Sequence, residues 1–391
     1  MKRTLRIYSC WAILAVAASA QGATFFVNAG TGDDFNTGRA AADPFLTIQK
    51  AIAAAALEPG ADVIQIAAGQ YTENLVIDDA DGLTLSGCAD AELGANPLND
   101  AVKVSSGDVT ITNLAISNGK KGISAGAAAS LTLHDLFVTG NLSDGLNAVN
   151  VADVTVSGCT FQANGGAAIK VQFANRLVVS HCTLEANTGR GIRVDDVRKV
   201  VVSHCQILDH GDDGFKMVGK VLSPADTSLV IGDTLVSGSG DDGIDLEALG
   251  DIRLTNVTVE GTIGDDGVSI DDSSSVSVTG GAYADNHAEG LDIDDVRSIR
   301  LVSVMSARNR GGLQVTAEGG CDVDLSTVGC DFTDNAQDGV SIRENGSTVQ
   351  QASLTSVTAN DNGGCGLNIV VSGTLKLSAI TSEGNGEPDT L

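Results

Sequence analysis

The chain has 391 residues, 42% of them hydrophobic, with 47 Gly but only 9 Phe, 3 Tyr and 1 Trp. That is too apolar for disorder and too poor in rings for an ordinary core, so small and β-branched side chains must fill the interior, as in a repeat architecture. With 23 Lys and Arg against 50 Asp and Glu, the net charge is −27, which makes nucleic acid and anionic membrane poor partners.

Residues 1–20 read as an export signal: Lys2, Arg3 and Arg6 lead into an apolar run from Trp11 to Ala18, and Ala18-Ser19-Ala20 forms a small-residue cleavage site. No later stretch is apolar enough to span a bilayer, so a secreted or periplasmic product is expected. Residues 21–60 predict a strand at Phe26-Val27-Asn28 and a short amphipathic helix over Pro44–Ile52 that caps the open end of a solenoid. Residues 61–391 predict strands throughout, beginning at Val63–Ile66.

A unit of glycine followed by apolar–any–apolar recurs at Gly122, Gly145, Ala168 (alanine in place of glycine), Gly191, Gly214, Gly243, Gly267, Gly290, Gly312, Gly339 and Gly366, at intervals of 22 to 29 residues. Each unit precedes a second run with period-two alternation, such as Val154-Thr155-Val156 or Val200-Val201-Val202, and no helical pattern intervenes. The leucine framework of a horseshoe is missing. An all-β chain folded as a right-handed parallel β-helix remains, one coil per period, with equivalent positions stacked about 4.8 Å apart.

Two columns follow from that register. Fourteen residues after the glycine lie Cys159, Cys182, Cys205, Val257, Val304 and Ile380, an inward apolar stack with thiols in three successive coils. Four residues before it lie Asn141, Asn164, Asn187, Asn286, Asn335 and Asn362, an asparagine ladder bonding turn to turn. Cys321 and Cys330 share one expanded coil and are the best candidates for a disulfide. His181 and His204 read as a surface pair beside the thiols.

The ladder is interrupted at His210, Ser239 and Ile263, and those same coils carry Gly-Asp-Asp-Gly: Asp212-Asp213, Asp241-Asp242 and Asp265-Asp266. Regularity given up in adjacent coils marks a candidate site. Two residues beyond the glycine, pointing outward, lie Lys170, Arg193, Lys216, Asp245, Ser269 and Asp292, a basic column running into an acidic one. Residues 211–296 hold 19 of the acids against three bases. Stacked carboxylates repel unless a cation intervenes, and hard oxygen donors in this number suit Ca²⁺, with Asp213, Asp241, Asp242, Asp245 and Asp266 as candidate ligands. A solvated acidic face with turn-forming Gly-Asp-Asp-Gly is the competing reading.

The entry region, from Phe26 through Pro44-Phe45-x-Thr47-Ile48 to Gly69-x-Tyr71-x-Glu73-Asn74, resembles secreted proteins of the pectin-lyase-like superfamily. More locally, Asp213-Gly214-Phe215 followed by Asp241-Asp242-Gly243-Ile244-Asp245-Leu246 resembles the calcium-dependent pectate lyases of polysaccharide lyase family nine. That resemblance implies Asp213, Asp241, Asp242 and Asp245 as calcium ligands and β-elimination of a uronate polymer as the activity. Ser269 and Asp292 stand where the family carries its lysine base, which leaves Lys216 and Arg193 as the nearest candidates for catalysis. Lys170, Arg193 and Asp292 are the candidate substrate contacts on the same face. The expected partner is a polysaccharide, uronate-containing by preference, and the expected state a monomer; a non-catalytic, polysaccharide-binding surface protein is the alternative.

Overall fold

The computed structural model describes residues 22–391 apart from 79, 89, 220–222, 224–225 and 319–321. The expected export signal lies outside the described residues, as does Cys321. Every named strand pair is parallel, and the residue after each repeat glycine, from Ile123 through Leu146, Ile169, Ile192, Phe215, Ile244, Val268, Leu291, Leu313 and Val340 to Leu367, stands in one unbroken register. The chain is therefore a parallel β-helix, one coil per repeat, wound right-handed as parallel crossovers require.

Each coil presents three faces. The first holds the post-glycine strands, such as Phe215–Val218 and Ile244–Glu247; the second holds strands such as Ser228–Gly232 and Asp251–Thr255; the third holds three-residue strands such as Leu235–Ser237 and Thr258–Glu260. Among the described residues the third face is a separate 11-stranded sheet. Two 12-residue strands, Ile169–Ser180 and Ile192–Ser203, bend across the first corner and join the other two faces into one sheet. Alternation along each strand buries the odd members, and aromatics that face inward, Phe25, Phe161, Phe215, Tyr283 and Phe332 among them, are fully buried.

The first coil starts earlier than residue 61. Thr24–Val27 pairs in register with Val63–Ile66, because Phe25 and Val27 alternate inward like every later strand. The helix lies within this coil. Helix α1 (Ile48–Ala55) buries Ile48, Ala51, Ile52 and Ala55 against the strands at Thr24–Val27, Val63–Ile66 and Leu75–Ile77. Thr47 caps it by accepting from the Lys50 N–H at 3.2 Å, and the Glu73 carboxylate accepts from the Ile48 and Gln49 N–H groups, each at 2.9 Å. A carboxylate thus meets the positive end of the helix dipole, which gives Glu73 of the entry region a structural role.

The cysteine column forms as thiols. Cys159, Cys182 and Cys205 are buried and free, each Sγ donating to the carbonyl two residues earlier at 3.3 Å. Cys330 is likewise a buried free thiol. On the outside of the same corner, His181 and His204 stack with ring centroids 4.9 Å apart.

The asparagine ladder runs in two segments. Asn141 Nδ2 donates to Asn164 Oδ1 and Asn164 Nδ2 to Asn187 Oδ1, each at 2.9 Å; the second segment runs Asn286, Asn309, Asn335, Asn362, Asn385. Two positions differ from the expected spacing. Ile263 is 69% exposed, and Thr262 holds the inner position, its N–H donating to Asn286 Oδ1 at 3.2 Å. Asn309 enters the ladder three residues before Gly312 rather than four. The turn into the glycine is one residue longer in the first case and one shorter in the second, so a fixed offset misses both. His210 and Ser239 do interrupt the ladder: both are buried, and the Ser239 hydroxyl has no hydrogen-bond partner among the described residues.

This contrast is testable by denaturant unfolding. The Asn164 side chain accepts from Asn141 and donates to Val138 O and Asn187 Oδ1, all buried. Asn164→Ala should cost roughly 2–4 kcal/mol, since it orphans several buried groups, while Ser239→Ala should change stability by less than about 0.5 kcal/mol. Equal effects of the two substitutions would contradict the ladder's role.

Candidate metal centre

The site lies where the turn enters the first face, and glycines shape it. A Cβ at Gly243 would sit 2.5 Å from the Gly267 carbonyl oxygen, and one at Gly240 would sit 2.5 Å from that of Gly211. Backbone thus packs on backbone from coil to coil, and the side chains between these glycines are stacked as tightly. Carbonyl acceptance fixes the stack: the Gly191, Gly214 and Gly243 N–H groups donate to Asp213, Asp242 and Asp266, each at 3.0 Å. The residue before the repeat glycine therefore forms one column, Arg190–Asp213–Asp242–Asp266–Glu289.

Asp213, Asp242 and Asp266 stand in one column, and with their neighbours they form three groups, in each of which one carboxylate oxygen per residue lies within 4.8 Å of the others: Asp212, Asp213 and Asp241; Asp213, Asp242 and Asp245; Asp242, Asp265 and Asp266. Asp241 and Asp245 fall in different groups. Asp241 is exposed on the turn, while Asp245 is half-buried on the strand face, because Asp242 between them points along the column. The central group is the best match to a hard cation, since three oxygens converge from adjacent coils with one member, Asp213, 1% exposed.

The structure adds a residue that the motif comparison did not single out. Arg190 Nε donates to Asp213 Oδ2 at 2.6 Å and its Nη2 lies 3.2 Å from Asp212. It occupies the same pre-glycine position as the aspartates, one coil earlier, and that spacing was the available signal. Lys216 pairs with Asp245, and Arg193 Nε donates to Asp195 at 3.0 Å. Lys170, Arg193, Lys216, Asp245, Ser269 and Asp292 do stand in one outward register. Lys170 adjoins Arg193, but Asp292 is three coils from Lys216, roughly 14 Å along the axis, and instead accepts from Gln314 at 3.1 Å.

Electrostatics follow the stacking. Burial, reinforced by the charges of Asp245, Asp213 and Asp265, pushes the Asp242 carboxyl up to about 7, although Asp242 Oδ1 accepts from the Asp266 N–H at 2.8 Å. Burial and then Asp292 raise Asp266; burial and then Asp294 raise Asp292 to about 7 and Asp271 to about 6. Asp213 is raised by burial against the opposing pull of Arg190. For Lys216, burial acts to lower the pKa, but the bond and charge of Asp245 prevail and raise it. The column thus carries more negative charge than its own cations neutralise, and the donors are the hard oxygens that Ca²⁺ takes.

The sign for stability follows from these directions. Asp242, Asp271 and Asp292 hold their protons more tightly folded than at the ordinary value near 3.9, so their contribution is complete below about pH 4 and lost as pH rises through 6 to 7. In chelator the melting temperature should fall by a few degrees between pH 4 and 8, less steeply in Asp242→Asn. Saturating calcium should remove most of that fall, because a cation binding the ionised folded site stabilises it by mass action. A melting curve at pH 8 indifferent to calcium would contradict the assignment.

The right-handed β-helix region model matches residues 73–223 and 221–385. No curated protein matches the chain. Among solved structures, pectate lyase Pel9A aligns with a TM-score of 0.50 at 14% identity over 75% of this chain and 78% of its own. The catalytic unit of a thermostable GH87 α-1,3-glucanase from Streptomyces thermodiastaticus aligns with a TM-score of 0.52 at 16% identity, over 87% of this chain and 66% of its own. The A-module of the mannuronan C-5 epimerase AlgE6 from Azotobacter vinelandii aligns at 0.48 and 13% identity, over 88% and 95%. Likeness at these identities is one of fold alone; the matched model, which spans most of the sequence, shows that the chain belongs to the right-handed parallel β-helix family.

Proposed function

We propose that this is an exported, cation-dependent polysaccharide-active β-helix whose first face engages a uronate polymer, with β-elimination as its chemistry. The observation that carries the reading is the convergence of Asp213, Asp242 and Asp245 beside Lys216 and Arg193 on that face. Structures that share the fold are named for action on pectate and α-1,3-glucan, which supports a carbohydrate substrate.

Asp213, Asp242 and Asp245 would hold the calcium, with Asp241 and Asp266 extending the donor set on either side. When bound, that ion supplies charge that binds the uronate carboxylate and acidifies the proton at C5. Elimination then requires a base to take the C5 proton while the electron pair forms the C4–C5 double bond and the C4–O bond breaks. Lys216 is the base candidate by position and Arg193 the cation that anchors a substrate carboxylate, with Lys170 one coil further along the axis and Asp292 at the far acidic end. Lys216 serves as base only when Asp245 is engaged elsewhere, because its present partner holds the proton in place.

That pairing favours a second reading, binding without cleavage, in which Lys216 and Arg193 act as fixed cations. Ultraviolet absorbance of unsaturated uronate separates the two on polygalacturonate, alginate and glycosaminoglycans, with and without calcium. The eliminase reading predicts calcium-dependent product, abolished in Lys216→Ala while calcium still raises the melting temperature of that variant. Substantial activity in Lys216→Ala would reject it as base, and no product on any polymer would leave the binding reading.

A further inference from the structure

Next to the acidic group, on the same face, lies a cleft of about 360 Å³ whose lining includes Phe173, Arg190, Arg193, Lys216, Gln172 and Asp195. Each of its three cations is paired with a carboxylate, Arg190 with Asp213 and Asp212, Arg193 with Asp195 and Lys216 with Asp245, so the cleft gathers bases that are scarce elsewhere in a chain of net charge −27. Arg193 Nε and Gln172 Nε2 both donate to Asp195 Oδ2, at 3.0 and 2.7 Å, which fixes the floor of the cleft.

Phe173 is the anomaly. It is 48% exposed and has φ +55°, the left-handed region that a ring-bearing L-residue adopts at a cost. The register places it at the corner between the first two faces, opposite Asn150 in the preceding coil and Asp196 in the next. Later coils put Ala248, Asp272 and Asp295 at that corner, all with positive φ and all small or short and polar. A large apolar ring at a strained position, turned to solvent, gains nothing from the core. An unfavourable residue held at the rim of a cleft is the pattern of a ligand contact.

Resting on the polysaccharide reading above, we propose that Phe173 is a sugar-stacking platform and that Arg190 and Arg193 form with it a subsite for an anionic pyranose next to the cation-binding coils. The ring offers an apolar face to the C–H side of the sugar, and the cations take its carboxylate. The polymer then lies along the solenoid axis, one residue over Phe173 and a later one over Asp242. Phe173 acts as a specificity-determining contact, apart from any bond-breaking step.

Native gel retardation by embedded polygalacturonate, with calcium or with chelator, tests this on the full chain. Phe173→Gly suits the left-handed corner, so its melting temperature should equal or exceed that of wild type. Its dissociation constant for the polymer should rise about tenfold or more, as when an aromatic hot spot is truncated. Arg193→Gln should weaken binding too, and Asp242→Asn should remove only the calcium-dependent part. Phe173→Gly retarded like wild type would overturn the subsite and leave the cation-dependent reading standing. Wild type unretarded with and without calcium would overturn both.

Discussion

Parallel stacking of coils about 4.8 Å apart makes each side chain's nearest neighbours the residues at its own position in the coils before and after. What a column can contain is decided by whether a residue tolerates a copy of itself at that distance. Asparagine does, because its amide donates to one neighbour and accepts from the other, and Asn141–Asn164–Asn187 is satisfied in this way. Valine, isoleucine and thiols do, by dispersion and burial. Glycine is required where a Cβ would meet the next backbone, as at Gly243. Aspartate does not, unless something positive is inserted.

The site follows from that last failure. Asp242 and Asp266 meet part of the demand by each accepting from the next coil's N–H, at 2.8 and 2.7 Å, so one oxygen of each is held by backbone. Asp338 uses the same device far from the cluster, accepting from Cys365 N–H at 2.8 Å, so the bond alone is structural. What sets coils Gly214 to Gly267 apart is accumulation: consecutive acids in the column and acids beside them on the strand, flanked by Arg190 and Lys216 at one end and by Arg310, paired with Glu289, at the other. The interior gives way in the same coils, where neither His210 nor Ser239 continues the asparagine ladder. Loss of ladder bonds beneath and charge crowding above both weaken this stretch, and a bound cation would offset the second.

Much of this was legible in the sequence because a solenoid converts sequence period directly into spatial contact. The eleven repeat units, ten opening on glycine and one on Ala168, the outward column from Lys170 to Asp292 and the single column of Asp213, Asp242 and Asp266 all follow from counting. Counting fails where a turn gains or loses a residue, as at Thr262 and Asn309, because the ladder is set by what reaches the interior rather than by distance from the glycine. It also fails where function depends on direction: Asp241 and Asp242 are adjacent in sequence, yet only Asp242 joins the group that contains Asp245. Arg190 and Phe173 were visible as letters but not as neighbours of the acids, since neither belongs to the motif that drew attention to the site.

The central claim is that converging carboxylates of adjacent coils form a cation site on the face that meets the polymer. Calorimetric titration of calcium into chelator-stripped protein at neutral pH tests it most directly. Saturable binding of at least one ion per chain, lost or strongly weakened in Asp242→Asn and Asp213→Asn but retained in Asp338→Asn, is the predicted result. No saturable binding, or binding unchanged by Asp242→Asn and Asp213→Asn, would contradict it.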